Sequence, residues 1–399
     1  MTGAKTRASV RRVDRVLFAV AVVEVALLLL VPSPRNPGKP GITGGIRTAA
    51  AQLRGEGPPV DLVQDYVGAR RLVGGEDAYP RLTEAFASVG LNWRVNHRST
   101  HPPTAFLLVL PVAWLPWAAA SAVWAALMLC AIAVTCRLLG ASPALAAALA
   151  PLTLLWPSAA WSLGQLTPLW LLGLALAWRL RHRPAGAAAA TAVASLTKLL
   201  PAVSLVPLLM LDRRRALRGF AGVWTAAVAL LVLLDPGSLA HFVQVEGGVA
   251  RGQAGRGENA GLLWAAGHDF GAVGVAVALA LVAAVVVVSI RRLRALGRLD
   301  RWTWDAWSWV GVALLPIAWI YSLLPLAPAS IRIARRGWLA VRPLAAAPLV
   351  IPFLYDPFGL PGGIHLAVAT ACLGFALLID APALAGTSAT GARSIAETE

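Results

Sequence analysis

Apolar runs punctuated by arginine clusters dominate this chain and leave it few ways to fold. Hydrophobic stretches follow one another at about 103–116, 118–139, 142–157, 165–180, 185–198, 199–211, 219–235, 270–290, 306–319, 321–331, 340–354 and 363–380. Between them stand Arg179-Leu-Arg181-His182-Arg183, Arg213-Arg214-Arg215, Arg291-Arg292-Leu-Arg294 and the basic stretch from Arg332 to Arg342. A segment crossing a bilayer needs about 20 mostly apolar residues and must satisfy its own backbone hydrogen bonds. Long Ala/Leu/Val runs without period-two alternation meet both demands as helices, not as barrel strands. Only 14% of the residues are charged, where a soluble domain carries about 25%. The sequence therefore predicts an all-α polytopic membrane bundle, with residues 1–381 as one integral membrane domain.

Charge placement sets the expected topology. Arg7, Arg11, Arg12 and Arg15 precede the first apolar run, about Val16 to Val31, which puts the N-terminus in the cytoplasm. No small-residue cleavage site follows, so this run is expected to be an anchor helix. Residues 33–100 and 236–269 then become extracytoplasmic loops, and 382–399 a disordered cytoplasmic tail. The net charge of +16 reads as topology signals and lipid headgroup contacts. Nucleic acid is excluded as a partner, because no basic stripe interleaved with aromatics occurs on a soluble domain. Arg137 argues for a cytoplasmic turn near residue 140. Trp114-Leu-Pro116-Trp117 then lies outside or forms a shallow re-entrant bend, and the parity of 101–164 stays open.

Cys130, Cys136 and Cys372 lack metal-ligand spacing and are expected to be buried small hydrophobes. Trp302, Trp304, Trp307 and Trp309, beside Arg301, are expected to form an interfacial aromatic belt.

Two apolar stretches are too short for a full crossing out and back. Residues 185–211 hold two half-length helices meeting near Lys198-Leu-Leu-Pro201. The stretch from Trp309 to Arg332 repeats the arrangement, with Pro316-Ile-Ala-Trp319-Ile-Tyr321 at its apex. Broken helices persist in a membrane only where they line a cavity or pack within protein. Both apices are expected to point toward the first outer loop.

That loop carries Asp61-Leu-Val-Gln-Asp65-Tyr66-Val-Gly68-Ala-Arg70-Arg71 and ends its motif at Tyr79. Asp61 and Asp65 share a helical face at this spacing. Close carboxylates oppose each other's ionisation, which moves one toward a general base's range. The plainer alternative pairs them with Arg70 and Arg71. Lys198 is an ionisable residue between apolar half-helices, suited to a phosphate, or else it snorkels. In Ser162-Leu-Gly164-Gln165-Leu-Thr167-Pro168, Gly164 allows a turn and Gln165 could bond a sugar or phosphate, with simple capping as the alternative. Arg251 and Arg256, on a glycine-rich loop with Asn259 and His268, could clamp an anionic leaving group. The same loop could equally be a flexible connector. His97 and His101 are candidates for proton transfer or for packing. Glu24, inside the first apolar run, either pairs with an arginine or marks a site.

Taken together these motifs resemble the GT-C membrane glycosyltransferases, and within them glycosyltransferase family 87, which contains actinobacterial mannosyltransferases using polyprenyl-phosphate-mannose. The first-loop motif is similar at Asp61, Tyr66, Gly68, Ala69, Gly75 and Tyr79. The family's Tyr-Pro-Pro stands here as His101-Pro102-Pro103, followed by Pro111, Leu115-Pro116, Ala119 and Trp124. Gly164-Gln165, then Gly186, Lys198, Pro201 and Arg213 to Arg215, and finally Pro316-Ile317-Ala318-Trp319 continue the series. The resemblance spans about residues 55–330. It departs at His101, where the family has tyrosine, and at Tyr321 and Ser322, where histidines are frequent.

The resemblance implies that the first-loop acid is the catalytic base, with Asp61 first and Asp65 second. It also implies inversion at the sugar carbon, with the donor's lipid phosphate as leaving group. Tyr66, Arg70, Tyr79, His101, Gln165, Lys198, Arg251, Arg256, Asn259, His268 and Tyr321 are the candidate substrate-binding residues. The implied partners are membrane lipids, a polyprenyl-phosphate sugar donor and a glycolipid or polysaccharide acceptor. No cofactor beyond the donor is implied, and a divalent cation is left open. The competing reading is a transporter or flippase of lipid-linked sugars; the inverted repeat that would favour it is not visible. A noncatalytic structural relative is a third.

Overall fold

The computed structural model describes residues 60–92, 94, 97–142, 146, 164–245, 259, 261–316, 318, 320–336, 341–355 and 362–381, with six positions between 15 and 23. Most of the expected first span, Glu24, most of the 142–157 run, Arg251, Arg256 and the 382–399 tail lie outside the described residues.

The regular elements described are helical, as the sequence predicts. They are α1 Val60–Val73, α2 Leu82–Ser88, α3 Pro103–Ala113, α4 Trp117–Leu138, α5 Thr167–Arg179, α6 Pro184–Thr197, α7 Val206–Leu211 and α8 Arg213–Leu234. Then come α9 Leu262–Leu296, α10 Arg301–Ala313, α11 Ala327–Arg336, α12 Arg342–Tyr355 and α13 Gly362–Ile379. Short 3-10 turns, Leu200–Leu205 and Ile320–Leu326, precede α7 and α11. Among the described residues, α4, α8 and α9 are long and apolar enough to cross a membrane.

Both expected half-helix hairpins are present. The first runs up α6, breaks at Lys198, whose backbone is extended (φ −156°, ψ 144°), and returns through α7. Pro201 stands at the start of the returning turn, where its missing N–H costs no helical bond. The second runs up α10, ends it at Ala313 and returns through α11.

The base of the second hairpin is ionic. Asp305, 2% exposed, holds Arg301 at 2.9 Å and Arg332 at 2.6 Å, and Arg332 reaches Asp380 at 3.1 Å. Nearby, Arg292 meets Asp300 at 2.6 Å. Arg292, Arg301 and Arg332 thus gather at the base of the second hairpin, the end away from its apex.

Helix ends follow capping chemistry more than hydropathy. α8 starts six residues before its apolar run, because Asp212 Oδ1 accepts the Arg215 N–H at 3.0 Å. α9 begins at Leu262, inside the expected second outer loop, so His268 and Asp269 stand on a helix. It kinks at Gly271, whose φ of 60° and ψ of −150° are open only to glycine without strain.

Two expectations are corrected. Trp302, Trp304, Trp307 and Trp309 are all buried and form no lipid-facing belt. Trp302 donates to the Leu377 carbonyl at 3.0 Å and Trp309 to that of Thr370 at 2.7 Å, fastening α10 to α13. Lipid and neighbouring helix are equally apolar, so the residue type alone does not distinguish them. Of the cysteines expected to be buried, Cys130 is exposed on α4, Cys136 and Cys372 are half-buried, and all three are free.

Two main apolar cores result among the described residues, beside a small cluster of Ala125 and Ile132. A smaller one joins α1, α2, α3 and the first half of α4, with Leu166 and Leu231 from neighbouring segments. A larger one is built from α5 onward around the tryptophans of α10. The smaller core fixes the position of the acidic motif.

Candidate active site

α1 presents Asp61 in its first turn and Asp65 one turn later, on the same face. Its apolar residues, Leu62, Val63, Val67, Ala69 and Leu72, are all buried, which locks the helix in rotation. Asp65 is 0% exposed, and its two carboxylate oxygens lie 2.8 and 3.0 Å from Nδ1 of His101. Neither Arg70 nor Arg71 pairs with these acids. Arg70 donates to the Tyr66 hydroxyl at 3.0 Å and Arg71 meets Glu76 at 3.4 Å.

His101 is held from both sides. Its N–H donates to Ser99 Oγ at 3.2 Å, and its carbonyl accepts the Tyr79 hydroxyl at 3.1 Å. Pro102 and Pro103 then fix the chain direction into α3. Thr104 donates to the Leu196 carbonyl at 2.9 Å. That bond ties the start of α3 to the last turn of α6 and brings the Lys198 break beside the acids. The Lys198 ammonium acts electrostatically on Asp61, Asp65 and His101, and the His97 ring on Asp61.

The Gly164-Gln165 segment completes the wall. A Cβ on Gly164 would stand 2.2 Å from the Leu62 backbone nitrogen, so only glycine allows this segment to lie on the first turn of α1. Trp124 donates to the Gly164 carbonyl at 3.2 Å from behind. Gln165 is 3% exposed; its Oε1 accepts from Thr167, while its Nε2 has no hydrogen-bond partner among the described residues. A buried amide donor beside the acidic turn is suited to an oxygen-rich ligand.

Burial raises the Asp61 carboxyl above the ordinary carboxylate range, against the opposing fields of His101, Lys198 and His97. Burial raises Asp65 too, and the like charge of Asp61 adds to it. Burial pulls the His101 imidazole down, but Asp65 and Asp61 more than offset this, and the ring titrates above its ordinary value.

The structure thus brings together Asp61, Asp65, His101 and Lys198, with Gln165 following the glycine that packs on α1. Other candidates are committed elsewhere. The Tyr66 hydroxyl donates to the Leu115 carbonyl at 2.7 Å and its ring meets Trp117 edge-on, so with Arg70 it fastens α1 to the α3–α4 turn. Tyr79, 0% exposed, packs on Phe106 and His241 and serves as the anchor of His101. Asn259, 0% exposed, donates to the Pro316 carbonyl at 3.0 Å and accepts from Gly261 and Ala318 at 2.9 Å, fixing the apex of the second hairpin. His268 is exposed, stacks on Trp264 and bonds Asp269. Tyr321 lies in the 3-10 turn before α11; its side chain is outside the described residues.

Sequence reasoning passed over Gln64, whose amide donates to Asp61 Oδ1 at 2.9 Å. The i, i+3 spacing on one helix was the available signal. No cluster of three or more His, Cys, Asp or Glu among the described residues is arranged to hold a metal ion.

A model of glycosyltransferase family 87 matches residues 100–316. The match covers more than half of the chain, from just before His101 to Pro316, and the acidic motif of α1 precedes it. No curated protein and no solved structure matches the chain.

Proposed function

The chain belongs to glycosyltransferase family 87, and from that premise we propose that it transfers a sugar, mannose in the first instance, from a polyprenyl-phosphate donor to a cell-envelope glycolipid or polysaccharide on the extracytoplasmic face. The family match and the helical membrane architecture support the coarser statement, a membrane glycosyltransferase. The finer reading is carried by one juxtaposition. A half-buried carboxylate, Asp61, stands in the field of the Lys198 ammonium where a half-helix hairpin turns.

Glycosyl transfer from a lipid phosphate needs those two groups. The acceptor hydroxyl attacks the anomeric carbon while the bond from that carbon to the phosphate oxygen breaks, and the electron pair leaves with the polyprenyl phosphate. Attack from the face opposite the leaving group inverts the configuration. The hydroxyl proton passes to Asp61, whose carboxyl, raised by burial, is a stronger base than a solvated aspartate. Lys198 stabilises the negative charge growing on the departing phosphate. The Gln165 amide donor is available to a sugar hydroxyl or a phosphate oxygen.

The basic clusters favour an outer location for this site. Positive loops stay in the cytoplasm, and the second hairpin carries Arg301 and Arg332 at its base, away from its apex. A phosphate at headgroup depth in the outer leaflet then lies level with the hairpin apices.

Membranes containing wild type or Asp61→Asn, matched for expression, would be incubated with radiolabelled polyprenyl-phosphate-mannose and a crude lipid acceptor. Loss of a general base lowers transfer by about 10²- to 10⁴-fold. Full transfer by Asp61→Asn removes it as the base. Movement of intact donor across wild-type vesicles without transfer makes the protein a transporter instead.

A further inference from the structure

Two carboxylates one helical turn apart create a problem that the proposed base has to overcome. Asp61 and Asp65 share a face of α1, and each ionised group opposes ionisation of the other. Burial adds to the opposition, because a low-dielectric setting disfavours a charged carboxylate. Left alone, such a pair keeps a proton, and a protonated Asp61 cannot accept another.

We propose that His101, clamped by Asp65, is a positioning residue whose imidazolium holds Asp61 in its ionised, proton-accepting form. The inference rests on the reading of Asp61 as the base. It comes from geometry: Nδ1 of His101 lies within 2.8 and 3.0 Å of both Asp65 oxygens, and both side chains are buried. The ring has little freedom to leave, since Ser99, Tyr79 and Pro102 fix its backbone.

The charged and titratable groups facing the ring are Asp61 and Asp65 from α1 and Lys198 from the break after α6. His97, on the same loop, bears on Asp61. With His101 protonated, two acids face two firm cations, and the cluster balances without a proton on Asp61. Lys198 alone leaves one negative charge in excess in a buried setting. Asp65 and Asp61 shift the His101 pKa upward, in the direction that favours the charged ring. His101 need not touch substrate for this; it acts through the field at Asp61.

The test is the pH dependence of kcat/KM for a polyprenyl-phosphate sugar, measured on purified full-length protein in lipid nanodiscs. The variants are His101→Tyr and His101→Gln, both neutral and able to bond Asp65, and His101→Lys, which retains a cation. The neutral variants are expected to move the acid limb upward by about one pH unit or more, so that activity lost at low pH returns in large part at high pH. His101→Lys is expected to keep the limb near its wild-type position. A folded neutral variant that loses rate equally at every pH, with its acid limb unmoved, overturns the proposal.

A second measurement does not require the variants to fold. Infrared titration of the wild type follows the protonated-carboxyl band assigned by its absence in Asp61→Asn. The proposal expects Asp61 ionised at about pH 7, and a persisting protonated band there overturns it. The underlying reading fails separately, when Asp61→Asn transfers sugar at the wild-type rate.

Discussion

Asp65 and His101, 36 residues apart in the chain, meet at 2.8 Å and close α1 onto the segment that enters α3. Around this contact the Tyr79 hydroxyl, the Ser99 side chain and the Thr104–Leu196 bond converge. The first-loop helix is therefore part of the same rigid unit as the hairpin that carries Lys198. Four predictions follow from that coupling.

Transfer should depend on pH through a carboxyl above the ordinary range. Burial raises Asp61, and the base works only when ionised. The rate is therefore expected to fall as pH drops through a value higher than the ~3.9 of a free aspartate. A pH–rate profile flat down to about pH 4 would show that no raised carboxyl limits the reaction.

Stability should also track the state of His101. Its folded pKa lies above the ordinary value of about 6.5. A group raised on folding contributes stability that is complete below its unfolded value and fades as pH rises through the folded one. The thermal midpoint of Asp65→Asn is expected to fall furthest below wild type below about pH 6.5 and to approach it as pH rises through the raised folded value. A gap of constant size across this range would mean that the contact is not ionic.

Gly164→Ala is expected to damage both stability and catalysis. The new Cβ would come 2.2 Å from the Leu62 nitrogen, and neither backbone can yield without moving the first turn of α1. Overpacking of this kind costs about 1–3 kcal/mol, and displacement of a catalytic group by about 1 Å can lower the rate about 10²-fold. Thermal midpoint and transfer rate measured on the same preparation check this. A stable, fully active alanine variant would show that Gly164 does not set the position of Asp61.

Lys198 and Asn259 should separate cleanly. Lys198→Met removes the cation beside Asp61 and is expected to lower kcat/KM for the donor by about 10- to 100-fold, the value of a charged interaction of about 1.5–3 kcal/mol, in protein that still folds. Asn259→Ala leaves the Pro316 carbonyl and the Gly261 and Ala318 amides without their partner. Each orphaned group costs about 1–3 kcal/mol, so the thermal midpoint falls. Donor kinetics of the first variant and melting of the second decide between a substrate role and a structural one. The reverse pattern would exchange their assignments.

Hydropathy, helical periodicity and proline placement were enough to read the helical class and both interrupted hairpins from the sequence. They are local properties of the solvent and the backbone: an apolar run must close its own hydrogen bonds, and a proline or a lysine marks where a half-helix ends. The candidate acids and Lys198 were legible because ionisable residues are few in such a chain.

Their partners were not legible. Nothing local shows that Asp65 faces His101 rather than Arg70, that Asn259 is consumed by the Pro316 apex, or that four tryptophans face a helix and not lipid. Those choices depend on which surfaces meet at a distance, and interior and lipid are alike to an apolar side chain. The sequence thus determined which groups were present and how each helix starts and stops. Only the tertiary packing, through contacts as close as Gly164 on Leu62, decided which charges share one buried space.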